Sequence, residues 1–169
     1  MMLTTHAAIG IMVTQWTANP LVGFTVALSS HYLTDVIPHG DEWLYWRHVH
    51  NTRDALALIS AAIDLFFLIV ITLIILNYTP QYQVSLITAA IIGGVLPDIL
   101  MTLHTKNQHQ FKKRYIGTLQ KIQGCYHWFL KKQYTFHMEF HNLIHTPIRY
   151  RTSLIYQSIF LGVFLYYYI

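Results

Sequence analysis

Residues 55–78 read ALALISAAIDLFFLIVITLIILNY, a 24-residue run whose only charged side chain is Asp64. About 20 apolar residues in a helix cross the hydrocarbon layer of a bilayer, and a helix satisfies its own backbone there. The run therefore predicts a membrane-crossing helix and limits the rest of the chain to what can pack beside one. Residues 82–103, ending IIGGVLPDILMTL, and 153–169, SLIYQSIFLGVFLYYYI, are two more of the same kind. Residues 20–37 give a further apolar helix, opened by Asn19-Pro20 and stopped by Pro38-His39-Gly40. Residues 4–17, TTHAAIGIMVTQWT, are apolar but short for a full crossing. Composition agrees: hydrophobic residues make up 54% and charged residues 11%, against about 25% charged in a soluble domain. The expectation is an all-α integral membrane bundle of four to five apolar helices forming one domain, 1–169. MMLTTHAAIG has no basic n-region and does not read as a secretory signal.

Residues 104–152 differ. They carry nine of the eleven basic residues, Lys106, Lys112, Lys113, Arg114, Lys121, Lys131, Lys132, Arg149 and Arg151. Phe111, Tyr115, Leu119, Ile122, Tyr126 and Phe129 recur every three or four positions, which is one apolar helix face. That face either packs on the protein's own core or lies on anionic membrane lipids; no recognition motif supports nucleic acid. Basic loops stay cytoplasmic, so 104–152 is expected inside as a basic, interfacial helical insertion. Counting back through alternating crossings puts Arg47 and Arg53 on the same side. The localisation implied is the cytoplasmic (inner) membrane.

With that orientation, His6, His31, Asp35, Asp98 and the row His137, His141, His145 all fall near the inner ends of their helices. Asp64 is deeper, about 10 residues or about 15 Å along its helix. Residues four apart share a helix face, so His31 and Asp35 aim at one spot. HMEFHNLIH sets His137, His141 and His145 at successive four-residue steps, a zinc-ligand spacing without the HExxH glutamate. Glu139 lies on another face. A metal cation neutralises a buried carboxylate and accepts imidazole lone pairs, which explains why apolar helices carry such groups. The alternative is a set of buried hydrogen bonds that only fix packing. Asp98 follows GGVLP, where glycines permit close helix approach and Pro97 frees a carbonyl. Asp64 has three open roles: ligand, general base and protonated buried acid. His39 with Asp41 and Glu42 reads as a turn and helix start, His48 and His50 as surface, and His104, His109 and His127 as structural.

The single cysteine, Cys125, permits neither an internal disulfide nor a Cys-rich zinc site. There is no GxSxG, P-loop, GxGxxG or CxxC motif. With nitrogen and oxygen donors alone, zinc fits best, and manganese or iron accept the same set. Six candidate ligands exceed what one catalytic zinc takes, so one or two ions are expected, two being bridged by Asp35 or Asp98.

The early His6 together with LSSHYLTDVIP, VLPDI and HNLIHT resembles the inner-membrane metal-dependent hydrolases, the YdjM-like family, related to the zinc-dependent phospholipase C class. The family's elements are an N-terminal His, LPDxDH, HRGxTHS and LSHxxxDxxTPxG; here the LSHxxxD element comes first, and LPDxDH is shortened to LPDILM. The resemblance implies that His6, His31, Asp35, Asp98, His141 and His145 are metal ligands. The function expected is a membrane-embedded metal-dependent hydrolase acting on a phosphoester, lipid included, at the cytoplasmic face, with Asp64 or an unligated carboxylate taking the proton and the basic segment attracting an anionic headgroup. The competing class is a non-catalytic membrane protein holding a structural metal or haem, or moving a transition metal.

Overall fold

The computed structural model describes residues 1–40, 47, 50, 55–110, 118–143 and 148–168. Its elements are helical throughout, with no strand among the described residues: α1 (Leu3–Val13), α2 (Pro20–Asp35), α3 (Ala55–Tyr78), a 3-10 turn (Gln81–Gln83), α4 (Val84–Gln110), α5 (Thr118–His141) and α6 (Tyr150–Tyr168). The start of α2 follows from its sequence. Pro20 presets the first turn, and Asn19 Oδ1 accepts from Leu21 N at 2.9 Å and Val22 N at 3.4 Å. α4 runs through Pro97 without ending.

α4 is the axis of the bundle. α2 lies along it most extensively, α1 packs on both, and α5 packs on α4. Small residues bring the backbones together: Ala7, Ala8, Ala27 and Ala90 fill the core with Ile11, Ile75 and Phe164. Two helices, Ala55–Tyr78 and Gln81–Thr105, are long and apolar enough to cross a membrane. α2 has 16 residues and falls short of the length a crossing needs; α6 does not join the two either. Of the four to five apolar helices expected, two reach crossing length among the described residues. On α3 only Ala57, Asp64, Ile71 and Ile75 are buried, while Phe66 and Leu73 stand 61% and 63% exposed. Apolar surface of that extent needs a non-aqueous neighbour.

The basic segment is not one insertion. Residues 104–110 continue α4, Thr118–His141 form α5, and Tyr150 onward belong to α6. On α5, the face against the core carries Leu130 and His137, both fully buried. Ile122, Tyr126 and Phe129 are exposed. Of the two readings of that stripe, burial in the protein's own core is excluded over its described part. Phe111 and Tyr115 lie outside the described residues.

Candidate metal centre

Four helices bring imidazoles and carboxylates to one end of the bundle. Asp35, the last residue of α2, is at the middle of the group and is buried. His6 Nε2 of α1 lies 3.0 Å from Asp35 Oδ1 and 3.9 Å from Asp98 Oδ2. His31 Nε2 lies 3.0 Å from Asp35 Oδ2 and 3.7 Å from Asp98 Oδ1. From α5, His137 Nε2 is 3.3 Å from Asp35 Oδ2 and 3.6 Å from Asp98 Oδ1, and His141 Nε2 is 3.3 Å from Asp35 Oδ2. His39 Nε2, just past the end of α2, is 4.0 Å from Asp35 Oδ1. The donor atoms of His31, Asp35, Asp98 and His137 all lie within 4.8 Å of one another. A tetrahedral zinc with ligands at about 2.0–2.1 Å sets its donors about 3.3 Å apart. The separations of 3.0 to 3.7 Å around Asp35 and Asp98 match that spacing.

The partners on the far side of each ring decide what the near side can do. His31 Nδ1 donates to the Gly94 carbonyl at 2.6 Å, one residue after the Gly93 carbonyl that Pro97 cannot bond. His39 Nδ1 donates to Ile37 O at 2.7 Å. Thr34 Oγ1 gives its proton to the Ser30 or His31 carbonyl at 2.9 and 3.0 Å, so it accepts from His6 Nδ1 at 3.3 Å. With Nδ1 protonated, the neutral ring presents a lone pair at Nε2. The lone pairs of His6 and His31 then face Asp35 oxygens at 3.0 Å, acceptor against acceptor. His6 Nε2, His31 Nε2 and both Asp35 oxygens are buried with no hydrogen-bond partner; the Met1 nitrogen, 3.5 Å from Oδ1, does not hydrogen-bond it. Protonating the rings instead would crowd imidazoliums together, since His6 and His31 stack at 3.9 Å between centroids. Burial, outweighing the opposing pull of the Asp35 carboxylate and reinforced by His141 and His31, holds the His137 imidazole down to about 3. A cation between such rings and acids removes that repulsion. This buried His/Asp group can hold a metal ion.

Of the residues expected from sequence, His6, His31, Asp35, Asp98 and His141 converge. His145 lies outside the described residues, as do Asp41, Glu42 and His48. His39 and His137 are additional members. His137 was visible in the HMEFH row; the signal for His39 was its position four residues after Asp35, masked by reading PHG as a turn alone. Glu139 is exposed. His104 is buried elsewhere, its ring 5.9 Å from His127 and 4.8 Å from Tyr134.

Asp64, a candidate proton acceptor by sequence, is engaged with the start of α1. Its Oδ2 accepts from Leu3 N at 2.7 Å, and its Oδ1 from Thr4 N at 3.2 Å and Thr4 Oγ1 at 2.5 Å. It holds the opening turn of α1, whose own N-cap side chain, Met2, offers no acceptor. We expect Asp64→Ala to lower thermal stability in detergent by about 2 kcal/mol, by stranding buried donors. Asp64→Asn should recover part of this through its remaining oxygen. A general base would behave oppositely, losing turnover at wild-type stability.

Only two members of the group have open sides: the Asp98 side chain is 17% exposed and that of His141 10%. The centre is therefore approached from the α4–α5 side. A cavity of about 560 Å³ lies at a separate place, where Trp16, Tyr78, Tyr82 and Tyr168 surround it. None of the centre's residues lines it. Aromatic residues in such a ring suit a membrane–water interface. No family model, curated protein or solved structure matches the chain.

Proposed function

We propose that this chain is a membrane-embedded, metal-dependent hydrolase that cleaves a phosphoester at the membrane surface. The observation that carries the reading is the buried meeting of His6 Nε2 and His31 Nε2 with Asp35, each ring turned there by its own Nδ1 partner. His31, His137, Asp35 and Asp98 hold the metal, with His6 beside them; zinc suits the donors. When bound, such an ion lowers the pKa of a water and polarises a phosphoryl oxygen. The chain's residues do the rest. Gly94 and Thr34 orient the rings, the buried helices exclude bulk water, and Asp98 and His141 border the opening where substrate enters.

A cluster gathered at one end of the bundle and open on one side suits hydrolysis better than transport, which needs ligands along a path. The apolar face of α3 and the exposed Ile122 and Phe129 of α5 support a position in and on lipid. Lys121, Lys131 and Lys132 on α5 favour an anionic headgroup as substrate. By the distribution of basic residues, the site faces the cytoplasm of the inner membrane. The sequence resemblance to YdjM-like metal-dependent hydrolases supports the same class.

The test is hydrolysis by detergent-purified protein of a chromogenic phosphodiester and of vesicles rich in anionic phospholipid. Stripping with a chelator should reduce the rate by at least about 10³-fold, equivalent to about 4 kcal/mol, and added zinc should restore it. Stoichiometric metal with no turnover on phosphodiesters, phosphomonoesters or carboxylic esters would leave a structural or transported metal instead.

A further inference from the structure

We infer that the centre holds a second cation, bound by Asp35, His39 and His141, with Asp35 bridging it to the first. The donor atoms of these three residues lie within 4.8 Å of one another, as a separate group from His31, Asp35, Asp98 and His137. The two groups share Asp35 alone. His39 and His141 meet at the carboxylate, their ring centroids 4.7 Å apart. Both Asp35 oxygens are engaged: Oδ1 is near His6 and His39, and Oδ2 is near His31, His137 and His141. His141 Nε2 lies 3.3 Å from Oδ2 and 3.0 Å from His137 Nε2, so two imidazole nitrogens meet at one carboxylate. One ion cannot collect both histidine pairs and both acids within a four-ligand shell. Two ions bridged by a carboxylate can.

The structure also spends a buried polar ladder on placing His39. Ser153 Oγ of α6 donates to the His39 carbonyl, and Tyr156 OH donates to Pro38 O at 2.8 Å. Gln157 Nε2 donates to Ser153 Oγ at 2.6 Å, while its Oε1 accepts from Met2 N at 2.9 Å and Thr5 Oγ1 at 3.2 Å. Ser153 and Gln157 are each 1% exposed. Gly40 turns the chain away at φ 61°, and a Cβ there would meet Ile148 O at 2.8 Å. A histidine needed only as a helix stop has no use for this support. The ladder makes Ser153 a positioning residue for His39, and it ties α6 and α1 to the same centre.

The inference rests on the metal reading above, but its test counts metal and needs no substrate. Purified full chain is stripped, loaded with excess manganese, freed of unbound ion, and examined by elemental analysis and electron paramagnetic resonance. Wild type is expected to hold two ions per chain and to show the spin coupling of a carboxylate-bridged pair. His39→Gln is expected to hold one and to give an uncoupled mononuclear signal. Ser153→Ala, which keeps every ligand, should weaken the second equivalent by about 10- to 100-fold and leave the first unchanged. One ion in wild type at saturation, or a coupled pair persisting in His39→Gln, overturns the inference. No bound metal in wild type overturns the metal reading itself. Should His39→Gln fail to fold, the Ser153→Ala titration decides alone, and equal affinity for both equivalents counts against the second site.

Discussion

Asp35→Asn is expected to abolish the metal response of this protein while leaving the metal-free fold at least as stable as wild type. The substitution keeps the shape and removes the charge on which every member of the centre converges. His6, His31, His137 and His141 all have Nε2 within 3.3 Å of one of its oxygens. Zinc affinity should fall by well over the roughly 10²-fold that loss of a mere supporting partner costs. In the metal-free protein the sign reverses. The asparagine amide can donate to an imidazole lone pair where the carboxylate only opposed it, which removes a buried acceptor–acceptor contact. Thermal unfolding in detergent separates the two effects. Metal at a hundred times its Kd should stabilise wild type by about 2.7 kcal/mol and the variant hardly at all. A variant that unfolds well below metal-free wild type, or that keeps the full metal-induced rise, would show that Asp35 serves packing instead.

Much of this was legible in the sequence because burial is expensive for the residues concerned. The apolar run Ala55–Tyr78 is found as helix over its whole length. His31 and Asp35 declared themselves by being four apart on an apolar helix, and HMEFH by its four-residue step. What the sequence hid were relations between helices. His39 has no local period linking it to His141, 102 positions away, and only the α6 ladder reveals that its place is built. Asp64 shows the reverse case: an acid in an apolar helix signals a partner, and the partner found is the opening turn of α1, which has no sequence signature. The exposed stripe on α5 follows the same logic, since periodicity identifies a face without saying what covers it.

Gly94→Val is expected to separate α1 from α4, and with it to destroy the centre. A Cβ on Gly94 would lie 2.7 Å from the His6 carbonyl oxygen and 3.2 Å from its carbon. Both are backbone atoms, so no rotamer change relieves the contact and the whole helix must retreat. His6 would move off Asp35, and the Gly94 carbonyl would lose its register with His31 Nδ1, freeing that ring's tautomer. Gly93 guards α2 in the same way, its Cβ meeting Phe24 O at 2.5 Å. Overpacking of this kind costs on the order of 3 kcal/mol, so unfolding should shift far and any folded remainder should bind zinc weakly. The controls follow from the same geometry. A Cβ on Gly23 meets only the Leu86 Cδ1 tip at 2.5 Å, a side chain able to turn aside, so Gly23→Ala should cost little. Gly162 has nothing within 4 Å, and Gly162→Ala should gain up to about 1 kcal/mol from helix propensity. Gly94→Val with wild-type stability and zinc affinity would mean that α1 does not approach α4 here, and then His6 could not reach Asp35 or Asp98. Because close backbone approach is what lets short side chains from different helices meet, the glycines are as much a condition of the metal centre as its ligands.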